Sequence, residues 1–343
     1  MLQTLFLIAA LTAADVETLS RIKPRMQAHV DHGVINGTVT MLVEKGQTVH
    51  IEATGWADKE NKKPMRKDSI FQIMSMTKPI TGTAIMMMVE AGKLNLNDPV
   101  AKYLPEFKDK PNVLVRQLMT HTSGMATNPP GTNMEWLYSM KVSLEDAVKF
   151  YATVPLLQDP GTKWVYSNMG LATLGRLIEV TSGMKYDEFI AKRLLQPLGM
   201  KDSFYFPPAD KKDRIVVNYC SKDATLAPCP HTTLGGDSRD LRAGATYPAP
   251  EFGLYSTAED LSHFLPDDDE RGHAGRQAVH LEGKRGSHDD GADWRSEGRA
   301  QPRHCVRSDL GSGEGSSSCG DALVDRELRA WRRIWDTWLD RSG

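Results

Sequence analysis

The sequence lacks the marks of several functional classes at once. It has no charge excess: 42 Lys and Arg against 44 Asp and Glu leave a formal charge of −2, which gives no basic field for nucleic acid or for an anionic bilayer surface. Its four cysteines, Cys220, Cys229, Cys305 and Cys319, have neither zinc-site nor redox-motif spacing, and no residue cluster points to a metal or another cofactor. Cys220 and Cys229 either pair, if the protein is exported, or stand as free thiols in a loop. No apolar run is long enough to span a bilayer. No Gly-x-Ser-x-Gly elbow occurs, which argues against an α/β-hydrolase. What remains is a globular chain of 343 residues, 40% of them hydrophobic, whose partners are small or neutral molecules.

Residues 1–14 combine a short apolar run at 5–11 with small residues at Thr12, Ala13 and Ala14. The pattern resembles an export signal and its cleavage site, although no Lys or Arg precedes it. Read so, the protein is periplasmic or secreted; read as an apolar first helix, it is cytoplasmic.

The far end lacks something else. Residues 266–343 contain no Met, Phe or Tyr, and carry one Lys to 12 Arg, whereas the first 265 residues carry 20 Lys to 9 Arg. A disordered extension rich in Gly, Ser, Asp and Arg is one reading. A shifted reading frame is the other. Every Trp codon is TGG, so reading one base later turns each Trp into Gly. The stretch from Trp331 to Trp338 then permits Gly-Gly-Val-Phe-Gly-Thr-His-Gly. The chain therefore divides into 1–14, a folded domain over 15–265, and an atypical tail over 266–343.

Within the domain, residues 14–32 read as an amphipathic helix, and residues 39–43 and 49–53 as the strands of a hairpin turning at 44–48. Residues 75–91 are apolar on nearly all sides and stop at Gly92, the pattern of a buried helix in which Met86, Met87 and Met88 are core. From 113 to 207, helical stretches (115–120, 143–153, 171–181 and 186–195) alternate with loops marked by Pro and Gly. Residues 216–219 read as a strand, and Ser256 to Asp260 as a capped helix start.

The chemistry sits in Ser75-Met76-Thr77-Lys78. A serine hydroxyl needs a base before it becomes a nucleophile, and a lysine three residues on shares its helix face. The all-round apolar helix buries that lysine, so it must be paired or neutral. About 90 residues later stands Tyr166-Ser167-Asn168. A tyrosine beside a lysine can exchange protons with a serine, and the Asn168 amide can hold Lys78 or a substrate carbonyl. His121 in His121-Thr122-Ser123-Gly124-Met125 invites a Ser-His pairing, but a structural loop role fits its position better.

Together these motifs resemble those of the class C β-lactamases, the DD-peptidases and the β-lactamase-like esterases called family VIII. Leu96-Asn97-Asp98-Pro99-Val100, Leu118-Met119-Thr120-His121-Thr122-Ser123-Gly124, Gln196-Pro197-Leu198-Gly199-Met200 and Gly253-Leu254-Tyr255-Ser256-Thr257 are similar to that family's landmarks, in its order, over residues 15–265. The resemblance implies an α+β fold: an antiparallel sheet flanked by helices, an all-α subdomain, and Ser75 at their junction. It implies an acyl-enzyme on Ser75, with Lys78 easing formation of the deprotonated base, Tyr166 shuttling the proton and Asn168 orienting substrate. The substrate would be a small ester or β-lactam, without cofactor, nucleic-acid partner or stable membrane span. The family's third motif, a Lys-Thr-Gly or His-x-Gly type triplet, is missing from the tail as written; Gly-Thr-His-Gly in the shifted frame is similar to its esterase-like form.

Overall fold

The computed structural model describes residues 13–44, 46–129, 140–222, 225–230 and 242–265. The expectations for the apolar run at 5–11, for Cys305 and Cys319 and for the tail 266–343 fall outside the described residues.

Two helices open the chain, α1 (Ala13–Ser20) and α2 (Ile22–Asp31), where the amphipathic pattern predicts one. Pro24 is the cause: it has no N–H for the carbonyl of Ser20, and its ring crowds that carbonyl. The hairpin follows as expected, with strands longer than the apolar pattern predicts. Strand β1 (Gly37–Glu44) pairs antiparallel with β2 (Gln47–Asp58), with a bulge between Leu42 and Val43, and β2 pairs with the short β3 (Lys63–Pro64). Helix α2 packs on β2. Among the described residues β1 has one strand neighbour, β2.

Strand β4 (Phe71–Gln72) leads into a single tight turn, Met74–Met76, and then into α3 (Thr77–Glu90). Pro79 is the third residue of α3, a position where a helix has no internal use for the N–H it lacks. Ile80, Ala84, Ile85 and Met87 are buried to 1% exposure or less, roughly 1.5–3 kcal/mol for each large side chain. Gly92, with φ +66°, stops the helix as its position predicts.

Around α3 gather α4 (Val115–Met119), α5 (Leu144–Thr153), α6 (Asn168–Ser182) and α7 (Tyr186–Ile190). The last widens into a π-helical turn over Ala191–Leu195. Ser143 and Ser167 cap α5 and α6 by accepting the N–H of Asp146 and of Gly170. The expected strand at 216–219 begins later: β5 (Tyr219–Lys222) pairs with β6 (Thr225–Pro228). Val216 and Val217 instead donate their N–H groups to Ile70 and Ala57, at 2.9 Å each, tying the two strand regions together. The structure joins Cys220 to Cys229 as a disulfide, deciding between the two states left open by their spacing.

Strand β7 (Tyr255–Ser256) pairs antiparallel with β4 and leads into α8 (Ala258–Phe264), capped by Thr257, which accepts the N–H of Asp260. The described chain is thus α+β: an antiparallel hairpin sheet on one side, a helical core on the other, and the β4–α3 corner between them. No described helix is long and apolar enough to cross a membrane.

The segment before β7 lies against α6 at Gly175, where a Cβ would come within 2.3 Å of Pro250 Cγ. Gly175→Ala should therefore cost about 1–3 kcal/mol by overpacking, although alanine is the better helix former by about 1 kcal/mol. Denaturant midpoints at constant slope measure this, and unchanged stability would mean that Pro250 gives way freely.

Candidate active site

Ser75 lies in the turn between β4 and α3, and the residue before it is forced into an unusual shape. Met74 has φ +49°, a left-handed backbone that a non-glycine residue adopts only where its surroundings impose it. Thr77 supplies part of that constraint: its buried Oγ1 donates to the Met74 carbonyl at 2.7 Å and accepts the Leu254 N–H at 3.1 Å. Ile73 N–H donates to the Leu254 carbonyl at 2.9 Å. The turn is therefore clamped by the strand that follows residue 253. Ser75 was expected on the first turn of the helix; it stands one turn ahead of it, where the helix dipole still reaches.

Lys78 is 6% exposed. Its Nζ donates to Ser75 Oγ at 3.1 Å and to the Glu251 carbonyl at 2.7 Å, and lies 4.7 Å from the centroid of the Tyr166 ring. Tyr166 donates to Ser75 Oγ at 2.8 Å. Serine, lysine and tyrosine thus converge on one oxygen across 91 residues of chain. Both members of the Tyr166–Ser75 pair are O–H groups, so the bond can run in either direction, as a proton shuttle requires.

Asn168 does not touch Lys78. Its Nδ2 donates to Asn128 Oδ1 at 3.0 Å, and its Oδ1 is buried without a hydrogen-bond partner among the described residues. Of the two uses read from sequence, holding Lys78 is not realised.

The His121 landmark builds the bed of Tyr166. His121 Nδ1 accepts the Ser167 N–H at 3.0 Å, its carbonyl accepts the Val165 N–H at 2.8 Å, and its ring lies against Tyr166, tilted by 36° with centroids 4.6 Å apart. Thr127 donates to the Tyr166 carbonyl at 2.6 Å and accepts the Asn168 N–H at 2.9 Å. Gly124 has φ +79°, and a Cβ there would meet the Gln158 carbonyl at 2.2 Å. His121 makes no hydrogen bond to Ser75, in keeping with its expected loop role.

Sequence reasoning passed over Thr77 and Glu251, because their partners lie about 175 residues away and no local pattern announces them. Two exposed apolar side chains adjoin the site in sequence, Met76 (57% exposed) and Trp164 (51%). Trp164 lies edge-on to His121 and 6.3 Å from the Tyr166 ring. No group of three or more candidate metal ligands occurs among the described residues.

With this geometry in hand, comparison with known proteins is decisive at the level of family: the Beta-lactamase family model matches residues 22–317. The chain belongs to the beta-lactamase family. It is 31% identical over 256 residues to Esterase EstB of Burkholderia gladioli, an alignment covering 67% of this chain and 64% of that one. It is 27% identical over 263 residues to the D-alanyl-D-alanine-carboxypeptidase/endopeptidase AmpH of Escherichia coli strain K12, covering 75% and 64%. The chain thus spans a little under two thirds of the length of both. Among solved structures it superposes on EstCE1, described as a hydrolase with promiscuous acyltransferase activity, with a TM-score of 0.64, 27% identity and coverage of 74% and 73%. The α+β fold is accordingly that of the β-lactamases and DD-peptidases.

Burial and the nearby Lys78 charge depress the His121 ring to about 4. Because the folded value lies below the unfolded one, the unfolded chain takes up the proton first as pH falls. The stability due to the neutral ring is therefore complete above pH 6.5 and is lost between 6.5 and about 4. His121→Asn keeps an acceptor for the Ser167 N–H and should flatten the stability slope in that window, measured by thermal melts; an unchanged slope would assign it elsewhere.

Proposed function

We propose that the protein is a serine hydrolase working through an acyl-enzyme on Ser75: a carboxylesterase of the family VIII type acting on short-chain esters, with slow β-lactam hydrolysis as a side activity. The observation that carries this is the convergence of Lys78 Nζ and Tyr166 Oη on Ser75 Oγ, at 3.1 and 2.8 Å. In this reading Tyr166 works as its phenolate beside the Lys78 ammonium: its oxygen takes the serine proton as Oγ attacks the carbonyl carbon and later gives it to the leaving alcohol. Lys78 balances the charge on the phenol oxygen. Water then attacks the acyl-serine, Tyr166 takes its proton and passes it to Ser75 Oγ as the acyl bond breaks, and the acid is released. Asn168, fixed by Asn128 at the start of α6, orients substrate. Exposed Met76, next to the nucleophile in sequence, and exposed Trp164, 6.3 Å from the Tyr166 ring, favour an apolar acyl or alcohol group, and the similarity to Esterase EstB favours an ester.

Export is part of the proposal. A Cys220–Cys229 disulfide persists in the periplasm or outside the cell and is reduced in most cytosols. Alkylation of the two thiols only after reduction would agree with that placement.

Ser75→Ala should abolish turnover of p-nitrophenyl acetate and butyrate, and Lys78→Met and Tyr166→Phe should each lower kcat by about 10²–10⁴-fold. Mass spectrometry after a fluorophosphonate should place the adduct on Ser75. Faster turnover of a chromogenic cephalosporin than of the esters would reassign the protein as a β-lactamase. An adduct without any turnover would make it a dead binder, and an unmodified Ser75 would refute the nucleophile.

A further inference from the structure

The Glu251 carbonyl that receives Lys78 Nζ belongs to a residue whose carboxyl is buried as well, at 1% exposure for the whole residue. Oε1 accepts a hydrogen bond from Tyr247 Oη at 2.8 Å. Oε2 is buried and has no hydrogen-bond partner among the described residues. A carboxylate in that position forfeits hydration on one oxygen, which disfavours the ionised form.

Every element around it contributes to the balance. Lys78 on α3 and the buried Arg242 are the cations whose charge favours the ionised form. Arg242 is itself fixed, donating to the carbonyls of Tyr205 and Gly253 at 2.9 and 2.8 Å. Tyr247 in the same loop, Tyr151 on α5 and Tyr186 on α7 are phenols whose ionisation burial pushes up, so they remain neutral. Burial prevails over both cations and over the Tyr247 bond, and raises the Glu251 carboxyl to about 7.

The backbone leaves this residue little freedom. Pro250 abuts Gly175, its carbonyl accepts from Thr81 Oγ1 at 2.6 Å, and a Cβ at Gly253 would meet the Pro248 carbonyl at 1.9 Å. The loop is closed on itself and pinned to α3 and α6. The loop thus sets the carboxyl behind the lysine, with Oε1 on Tyr247 and Oε2 without a partner among the described residues.

We propose that Glu251 is a positioning residue for the hydrolysis assigned to Ser75: its carbonyl fixes Lys78 Nζ, and its carboxyl provides a charge behind Lys78 that switches with pH and tunes the nucleophile from the buried side. This rests on the hydrolase reading. Ionisation of Glu251 strengthens the hold on the Lys78 ammonium, which the shuttle by Tyr166 requires, so activity rises as the carboxyl loses its proton.

Glu251→Gln keeps the volume and an acceptor for Tyr247 but removes the titration. In the wild type, kcat/KM for p-nitrophenyl acetate should rise through about pH 7 by roughly tenfold, the effect of one unit of coupling, with the change in kcat rather than KM. The Gln variant should lack that step. A second measurement needs no turnover. The folded carboxyl is raised above its unfolded value of 4.5, so the wild type loses stability as pH rises from 4.5 to about 7. The Tm of the variant relative to wild type should therefore climb across the same window. A climbing Tm difference with the step retained in the variant overturns the coupling to Lys78, and a flat Tm difference overturns the titration itself. A climbing difference with no ester turnover in either protein refutes the hydrolase reading and the positioning role with it. Should the variant not fold, the wild-type rate of fluorophosphonate labelling at Ser75 serves alone: a step near pH 7 supports the proposal, and a rate without one overturns it.

Discussion

A lysine nitrogen taken out of water must be given oxygens, and the surroundings of Ser75 are organised by that demand. Lys78 Nζ finds two, Ser75 Oγ and the Glu251 carbonyl. The first lies one helical turn away and comes with the local geometry of α3. The second must be delivered from 173 residues downstream, and its delivery explains otherwise unrelated features. Gly175 lets Pro250 lie against α6, Gly253 lets the chain fold back on Pro248, and Arg242 binds the Tyr205 and Gly253 carbonyls. The β4–β7 pairing then places Leu254 where it clamps both Ile73 and Thr77. Remove the buried cation and little in this loop has a reason to be where it is.

The parts of this arrangement that were legible in the sequence are those written at short range. Ser75 and Lys78 are related by helical spacing, the apolar run of α3 by its composition, and its end by Gly92. The Tyr166 motif was legible because its residues are contiguous, whereas the capping of α6 by Ser167 shows only in the fold. The parts that were not legible are relations between distant segments. No pattern near Met74 foretells a left-handed backbone, since tertiary contacts with Leu254 impose it. Glu251 sits among residues that read as an undistinguished loop, and only the fold shows its carbonyl meeting Lys78. Asn168 illustrates the intermediate case: its motif was recognised, but which of two partners its amide would take depended on where Asn128 came to lie. Pro24 is a different case: it stands in the sequence as a helix breaker, third in α2, while the amphipathic pattern runs on through it.

The polar interior behind the site differs from the apolar helical core beside it. Thr81, Tyr186 and Tyr205 form a chain of hydroxyls at 2.6 and 2.7 Å that ends on the Pro250 carbonyl. The phenol of Tyr247 is engaged with Glu251. Leucine or phenylalanine at such positions would bury as much area without the penalty of an unmet bond. Hydroxyls impose direction instead: each fixes where its neighbour's oxygen must lie, so the segment from 247 to 254 has one arrangement rather than several of similar energy. Tightness of this kind is what the proposed mechanism needs, because a proton can move between Tyr166 and Ser75 only while the two oxygens keep hydrogen-bond distance.

The two groups that meet Ser75 Oγ come from separations of 3 and 91 residues, and the carbonyl that steadies the lysine adds a third separation, of 173. Those distances order the assembly. The serine–lysine relation is local to α3 and the turn before it, which Leu254 completes; the tyrosine joins once segment 121–128 has received residues 165–168, and the Glu251 carbonyl arrives with the segment that leads into β7. Loop closure grows costlier with separation, and β4 and β7 are two residues each, so this last contact relies on the bonds that pin residues 250–254: Thr81 to the Pro250 carbonyl, Arg242 to the Gly253 carbonyl and Leu254 to Thr77. It is also the contact that fixes Lys78. Loss of that pinning should therefore remove the proposed activity before it removes the helical core, because the chemistry proposed for Ser75 depends on the longest-range contact in the site.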